Sequence, residues 1–415
     1  MPIWSDRMRK LRGTLCLLSL LLLIPALVFS RHMLPIDTRP LVAEKYAGWS
    51  GVLNLWIYEG WPCGSGSISP WLNQCITGFE RAHPGVYVQP LFVDNGAITS
   101  VNDSGIVPPD MLLFPPNLLA SPEGLLPLAA PENLRPALCR SGQWNGTTYA
   151  IPVALGGYLW VFNSEWISTL PDSWDDTDAV LSVPPPEPWR RWDAALLALC
   201  SERYAPADPD STAKSTASPA GEVELGLAGG ESPVPTASPE PNRNGTLCRH
   251  LPADFHYDED AWRHFVNGES AAMPVTQREI RRLQALSDRG KGPQWQLGPG
   301  DNGFTDQLLA MAIVNRPDNA DRQTLCADFI SWLLTDTCQS SLYRASAFSV
   351  TGVPSGYASS DPLAILDNLL RNPSLSVPRI FDRQWVWDAE AIVRKFADNI
   401  EEAPTLWRKL RELLS

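Results

Sequence analysis

Short apolar, β-rich runs alternate with helical-period segments along most of the chain. Gly51 to Tyr58 (GVLNLWIY) is almost continuously apolar, the pattern of a strand covered on both faces. After the loop EGWPCGSGS, the residues Trp71, Leu72, Cys75, Ile76 and Phe79 recur at helical spacing. They predict a helix over Trp71–Ala82, stopped by His83-Pro84-Gly85. Val86 to Val93 reads as the next strand, so the opening is a βαβ unit with parallel strands. Asp110 to Phe114 is a third short buried strand. Thr148–Val153 and Tyr158–Phe162 read as extended segments joined by a hinge, Ala154-Leu155-Gly156-Gly157.

Later in the chain, helices are expected at Glu259–Val266, Gln277–Arg289 and Asp321–Thr335, the last burying Leu325, Phe329, Leu333 and Leu334. Glu269–Val275 reads as a turn and strand, and Gln307–Asn315 as a buried strand or helix start. Pro362–Arg371, Gln384–Asn399 and Pro404–Leu414 are three amphipathic helical pieces. Residues 205–247 break the pattern: seven prolines, many small and acidic residues and no aromatic. Such a composition buries too little apolar surface to offset its ordering entropy, so a disordered insertion is expected there.

The N-terminus changes the picture of location. Arg7, Arg9, Lys10 and Arg12 precede an apolar run from Leu15 to Phe29, the pattern of an export signal or a membrane anchor. Both readings place the rest of the chain outside the cytoplasm, secreted or anchored, touching the membrane only through residues 1–30. Residues 1–30 contribute +3 to a net charge of −13, so the remainder carries −16. A surface that acidic repels phosphate backbones, which excludes nucleic-acid binding.

Export permits disulfides among Cys63, Cys75, Cys139, Cys200, Cys248, Cys326 and Cys338, an odd set that leaves at least one thiol over. Cys200–Cys248 and Cys63–Cys75 are the candidate pairs; buried free thiols throughout are the alternative. Cys326 and Cys338 read as sharing one helix, about 18 Å apart at 1.5 Å per residue and beyond bonding reach. No nucleophile elbow, H-E-x-x-H or Walker A loop occurs. The acid cluster DSWDDTD (Asp172–Asp178) reads as a helix N-terminus rather than a facing pair of catalytic carboxylates. His250, His256 and His264 fall near Cys248, Asp258 and Asp260, but in no zinc-ligand spacing. Neither an enzyme, a metal nor a cofactor is expected.

Six stretches, taken in order, resemble the family 1, sugar-type extracellular solute-binding proteins of ABC transporters. They are VLNLWIYEGW, FERAHPGVYVQPLFV, PPDMLLF, GTTYAIPVALGGYLWVFNSEW, FVNGESAAM and DNADRQTLCADFISWLLTDTCQSSL. The resemblance implies an α/β, two-lobed, periplasmic-binding-protein-like (type II) fold with a hinge between lobes. Residues 31–50 would be a tether, 51–157 and 273–315 lobe one, and 158–272 and 316–415 lobe two, which would carry the insertion.

The same resemblance implies capture of a small ligand, a saccharide, in the inter-lobe cleft and its delivery to ABC permease subunits. Sugars offer apolar ring faces to aromatic side chains and hydroxyl edges to carboxylates and amides, and the chain holds 17 Trp. By position in the family pattern, the ligand contacts would come from Glu59 and Trp61 after the first strand and Phe114 at a strand end. Trp160 lies past the hinge, Met273 and Phe304 near later crossings, and Trp385 and Trp387 where the family places a stacking aromatic. For each aromatic, core packing is the alternative. Two other roles suit the same fold: a ligand sensor, and a degenerate binding fold serving as a surface protein without transport.

Overall fold

The computed structural model describes residues 49–100, 109–167, 182–184, 258–298, 304–316, 319–373, 375–381, 388, 391–395 and 403–414. The N-terminal apolar run, the 205–247 insertion, Cys200, Cys248, Trp385 and Trp387 lie outside these residues. No helix among the described residues is long and apolar enough to cross a membrane.

The chain opens with β1 (Gly51–Ile57), α1 (Ser69–Ala82), β2 (Val86–Phe92), α2 (Asn95–Thr99) and β3 (Met111–Phe114). A small hairpin, β4 (Gln143–Trp144) and β5 (Thr147–Thr148), precedes β6 (Ile151–Leu155) and β7 (Tyr158–Asn163). Next come α3 (Ala261–Val266), β8 (Ala272–Thr276), α4 (Gln277–Ser287), β9 (Trp295–Leu297) and β10 (Leu308–Ile313). The last elements are α5 (Ala320–Leu333), α6 (Asp336–Gln339), α7 (Leu363–Leu369) and α8 (Ala403–Leu414).

Two sheets organise these elements. The first has the order β2-β1-β3-β10-β6, and the second β8-β7-β9. β1 runs parallel to both β2 and β3, as the βαβ pattern predicts, whereas β10 is antiparallel to β3 and β6. The second sheet is antiparallel throughout. Pro90, Pro152 and Pro274 all fall on edge strands (β2, β6 and β8), where a missing N–H costs no interior ladder bond.

α1 buries the five residues its period marks, Trp71, Leu72, Cys75, Ile76 and Phe79. It packs on α5 through an edge-to-face pair, Phe79 and Phe329, with ring centroids 5.0 Å apart. Asp110, 3% exposed, anchors the start of β3. It accepts from Asn54 N (2.7 Å) and pairs with Arg322 of α5 and with Arg316 at 3.5 Å. A carboxylate this buried is tolerated because two guanidinium groups and a backbone N–H replace its water.

Several expectations need correction. β6 runs on through Leu155, so the extended hinge shrinks to Gly156-Gly157. Residues 273–297 do not join the strand group 51–157: β8 and β9 flank β7 in the second sheet. α5 lies with α1 rather than with β7, since its apolar face closes on Phe79. Phe329, Leu333 and Leu334 are buried as expected, but Cys326 and Ile330 join that face where Leu325 stays half-buried. Cys326 and Cys338 do not share a helix, because α5 ends at Leu333 and α6 starts afresh at Asp336 behind Thr335. Cys63 and Cys75 are both free thiols.

Candidate functional site

The backbone passes from the first sheet to the second at Gly156-Gly157, between β6 and β7, and arrives back through Phe304–Gln307, which leads into β10. These passages are bonded to each other. Gly156 N donates to Gln307 O (2.7 Å), and Gly156 O accepts from Thr305 Oγ1 (2.8 Å). Gly157 N donates to Gln277 Oε1 (3.0 Å), while Gln277 Nε2 donates to Gln307 Oε1 (2.7 Å). Tyr158 OH donates to Asp306 Oδ1 (2.6 Å). A Cβ on Gly156 would sit 2.1 Å from Gln307 Oε1 and 2.6 Å from Gln277 Nε2, so a side chain there would displace the amide pair.

The local sequence explains why Gln277 points at the passage. Thr276 ends β8 and is the N-cap of α4, and a capping box with Glu279 fixes the direction of the first turn. Gln277 is the first residue of that turn and is fully buried, as are Thr305 and Gln307. Gln307 Nε2 has no hydrogen-bond partner among the described residues. The result is a buried cluster of two amides, a hydroxyl and a phenol–carboxylate pair, equipped to donate and accept hydrogen bonds.

The loop after β1 meets this cluster. Trp61, 2% exposed, donates its indole N–H to Leu308 O (3.2 Å) at the start of β10, and Pro62 O accepts from Gln277 Nε2 (3.4 Å). Gly60 takes a left-handed φ of 70°, and a Cβ there would lie 2.3 Å from Pro115 Cγ, so the loops after β1 and β3 touch. The Glu59 carboxylate turns away along the loop: Oε1 accepts from Ser67 Oγ (2.6 Å) and Ile68 N (2.8 Å), ahead of α1. Burial raises its pKa against the lowering effect of those two bonds.

The expected ligand contacts therefore divide. Trp61 bonds to Leu308 at the end of the return passage, and Phe304 is the first residue of that passage, bridged to Ser376. Phe114 is fully buried at the end of β3, paired with Ala310 of β10 and 6.3 Å from the Phe381 ring. Trp160 lies inside the second sheet opposite Pro274, its ring 6.4 Å from Phe162, and Met273 is opposite Val161 in the same sheet. Trp385 and Trp387 lie outside the described residues. Tyr158, Gln277, Thr305 and Gln307 were missed by sequence reasoning. Their available signals were polar side chains directly beside the glycine pair, directly before an apolar strand, or directly after a Thr cap.

The histidine cluster reduces, among the described residues, to His264 with Asp258 (2.8 Å) and Glu269 (3.7 Å). No group of three or more His, Cys, Asp or Glu among the described residues is arranged to hold a metal.

No protein-family model matches the sequence, and no curated protein matches it. Solved structures match over 88% of the chain. A maltodextrin-binding protein from L. casei BL23, without ligand, matches with a TM-score of 0.52 and 14% identity over 98% of its own length. A family 1 extracellular solute-binding protein from Bifidobacterium longum subsp. infantis gives 0.52 and 12% over 99%. A cyclic alpha-maltosyl-1,6-maltose binding protein from Arthrobacter globiformis gives 0.50 and 13% over 98%. The two sheets, the glycine passage between them and these likenesses together assign the chain the two-lobed type II α/β fold of solute-binding proteins.

Proposed function

We propose that the chain is an extracytoplasmic solute-binding protein that captures a saccharide between its lobes and delivers it to an ABC importer. The observation that carries this reading is the bonded Gly156-Gly157 passage. A two-residue link without side chains absorbs the φ/ψ change of lobe closure, and its amide cluster holds the link in register. The solved structures it resembles are named as binders of maltodextrin and cyclic maltosyl-maltose, which supports a glucan as first choice. Capture needs no covalent step, so the chain acts without catalysis, cofactor or metal.

In this reading Trp385 and Trp387 supply the aromatic face, by their place in the family pattern. Trp61 and Phe304 shape the walls at the passages, with Phe114, Trp160 and Met273 packed in the sheets behind them. Glu59 shapes the loop after β1 through its bonds to Ser67 and Ile68. Gln307 Nε2 is a further donor for a hydroxyl. The N-terminal run exports the chain and, if retained, holds it at the membrane beside its permease.

A thermal-shift panel of mono- and oligosaccharides, amino acids and polyamines tests the proposal. Binding to the native state alone adds about 2.7 kcal/mol at a hundredfold excess over Kd. A rise in melting temperature with one saccharide class supports it; a rise with amino acids or polyamines only, or with nothing, overturns it.

A further inference from the structure

Cys75 of α1 and Cys338 of α6 are 263 positions apart in the chain, yet both line one surface pocket of about 380 Å³, with Arg81, Trp332, Thr337 and Ser341. Each cysteine is 3% exposed. Their backbones are held by reciprocal bonds. Trp71 of α1 donates its indole N–H to Cys338 O (2.8 Å), and Trp332 of α5 donates its own to Cys75 O (3.0 Å). Ser341 Oγ adds a second bond to Cys338 O (2.7 Å). The backbone carbonyl of each cysteine is thus held by a tryptophan, Trp71 of α1 for Cys338 and Trp332 of α5 for Cys75.

We propose that Cys75 and Cys338 form a redox-sensitive pair that closes to a disulfide tying α1 to α6. The oxidant is a small-molecule or protein disulfide of an oxidising compartment. The Cys338 thiolate attacks one sulfur of the oxidant, forming a mixed disulfide and expelling a thiolate. Cys75 then loses its proton to that thiolate and attacks the Cys338 sulfur, expelling the second half, which takes up from water the proton that Cys338 released. Two protein thiols are oxidised by two electrons, and one disulfide is reduced to two thiols. The pair is asymmetric in the sense this order needs. The Cys75 S–H and Thr335 bond the Cys338 sulfur and lower its pKa, while the same contact and burial raise that of Cys75.

The fixed carbonyls are what distinguish this pair from two unrelated core thiols: the two indole bonds hold both backbones beside one pocket before any bond forms, and closure brings the Cα atoms within the roughly 7 Å a disulfide spans. The link would close a long loop between two elements that pack on the first sheet, where cross-linking restricts the unfolded chain most.

The test is a peptide map of the full chain after exposure to oxidised glutathione, with remaining thiols alkylated. The expected result is a Cys75–Cys338 cross-linked peptide that dithiothreitol releases. In Cys75→Ser, Cys338 is recovered as its glutathione adduct; in Cys338→Ser, Cys75 is recovered alkylated. The oxidised wild type melts about 5 °C or more above the reduced form, and neither variant shows that difference. Recovery of both cysteines alkylated from oxidised, folded wild type overturns the proposal, as does cross-linking to any other cysteine. The wild-type map decides the matter even if a variant fails to fold.

Discussion

Glu59 shows how little a side chain's place in a sequence pattern says about its work. The loop after β1 was legible, but not that the carboxylate's Oε1 would be spent on Ser67 and Ile68 ahead of α1. Burial raises its pKa, so its contribution to stability is full below the unfolded value, about 4.3, and is lost as pH rises through the folded one. Glu59→Gln keeps both acceptor contacts through its amide oxygen and carries no charge. It is therefore expected to melt at or above wild type at neutral pH, with the advantage vanishing by about pH 4. Melting temperatures of the two proteins across that range check this, and a Gln variant that melts lower by the same margin at every pH refutes it. Gly156 makes a steric prediction. Gly156→Ala drives a methyl into the Gln277–Gln307 amide pair and is expected to cost about 1–3 kcal/mol. Gly352, where a Cβ meets nothing within 4 Å, is the control: its alanine variant should change denaturation midpoints little. Equal losses at both positions would mean that the glycine passage is not tightly packed.

Elements were most legible where one period decided them. The α1 stripe was read residue by residue, and β1, β2 and β3 within a residue or two, because a covered strand and an amphipathic helix each advertise themselves locally. α5 was harder. Its face also takes in Cys326 and Ile330, and its end at Leu333 was hidden by the apolar Leu334. The clue was Thr335-Asp336, an N-cap pair that restarts the chain as α6. Partnerships beyond the opening βαβ unit were not legible. Nothing local says that β8 lies beside β7, or that α5 closes on α1, because those choices rest on contacts far apart in sequence. The capping box of α4 links this scale to the site. Thr276→Ala removes the bond to Arg278 N and the contact with Glu279, and should cost about 1 kcal/mol in denaturant unfolding. Because Gln277 is the next residue, ligand affinity should fall as well. Loss of stability with affinity unchanged would separate the cap from the site.

At the scale of the molecule, six short motifs implied a two-lobed α/β fold, and the fold bears that out, while the partners of 273–297 (β7) and of α5 (α1) differ from the expected grouping. The order of motifs carries topology, but sheet membership depends on where the chain returns. That Cys75 and Cys338 line one pocket was invisible for the same reason: residues so distant in sequence are brought together only by the packing of α1 on α5. The buried amide cluster at the passage is likewise a product of three segments, from β6–β7, α4 and the approach to β10. The central claim is that the chain binds a saccharide by closing about that passage. Isothermal titration of the full chain with malto-oligosaccharides, beside Trp385→Ala and Trp387→Ala, tests it most directly. The account predicts saturable one-to-one binding that weakens about tenfold or more in at least one tryptophan variant. No binding by wild type, or binding that both variants leave untouched, would contradict it.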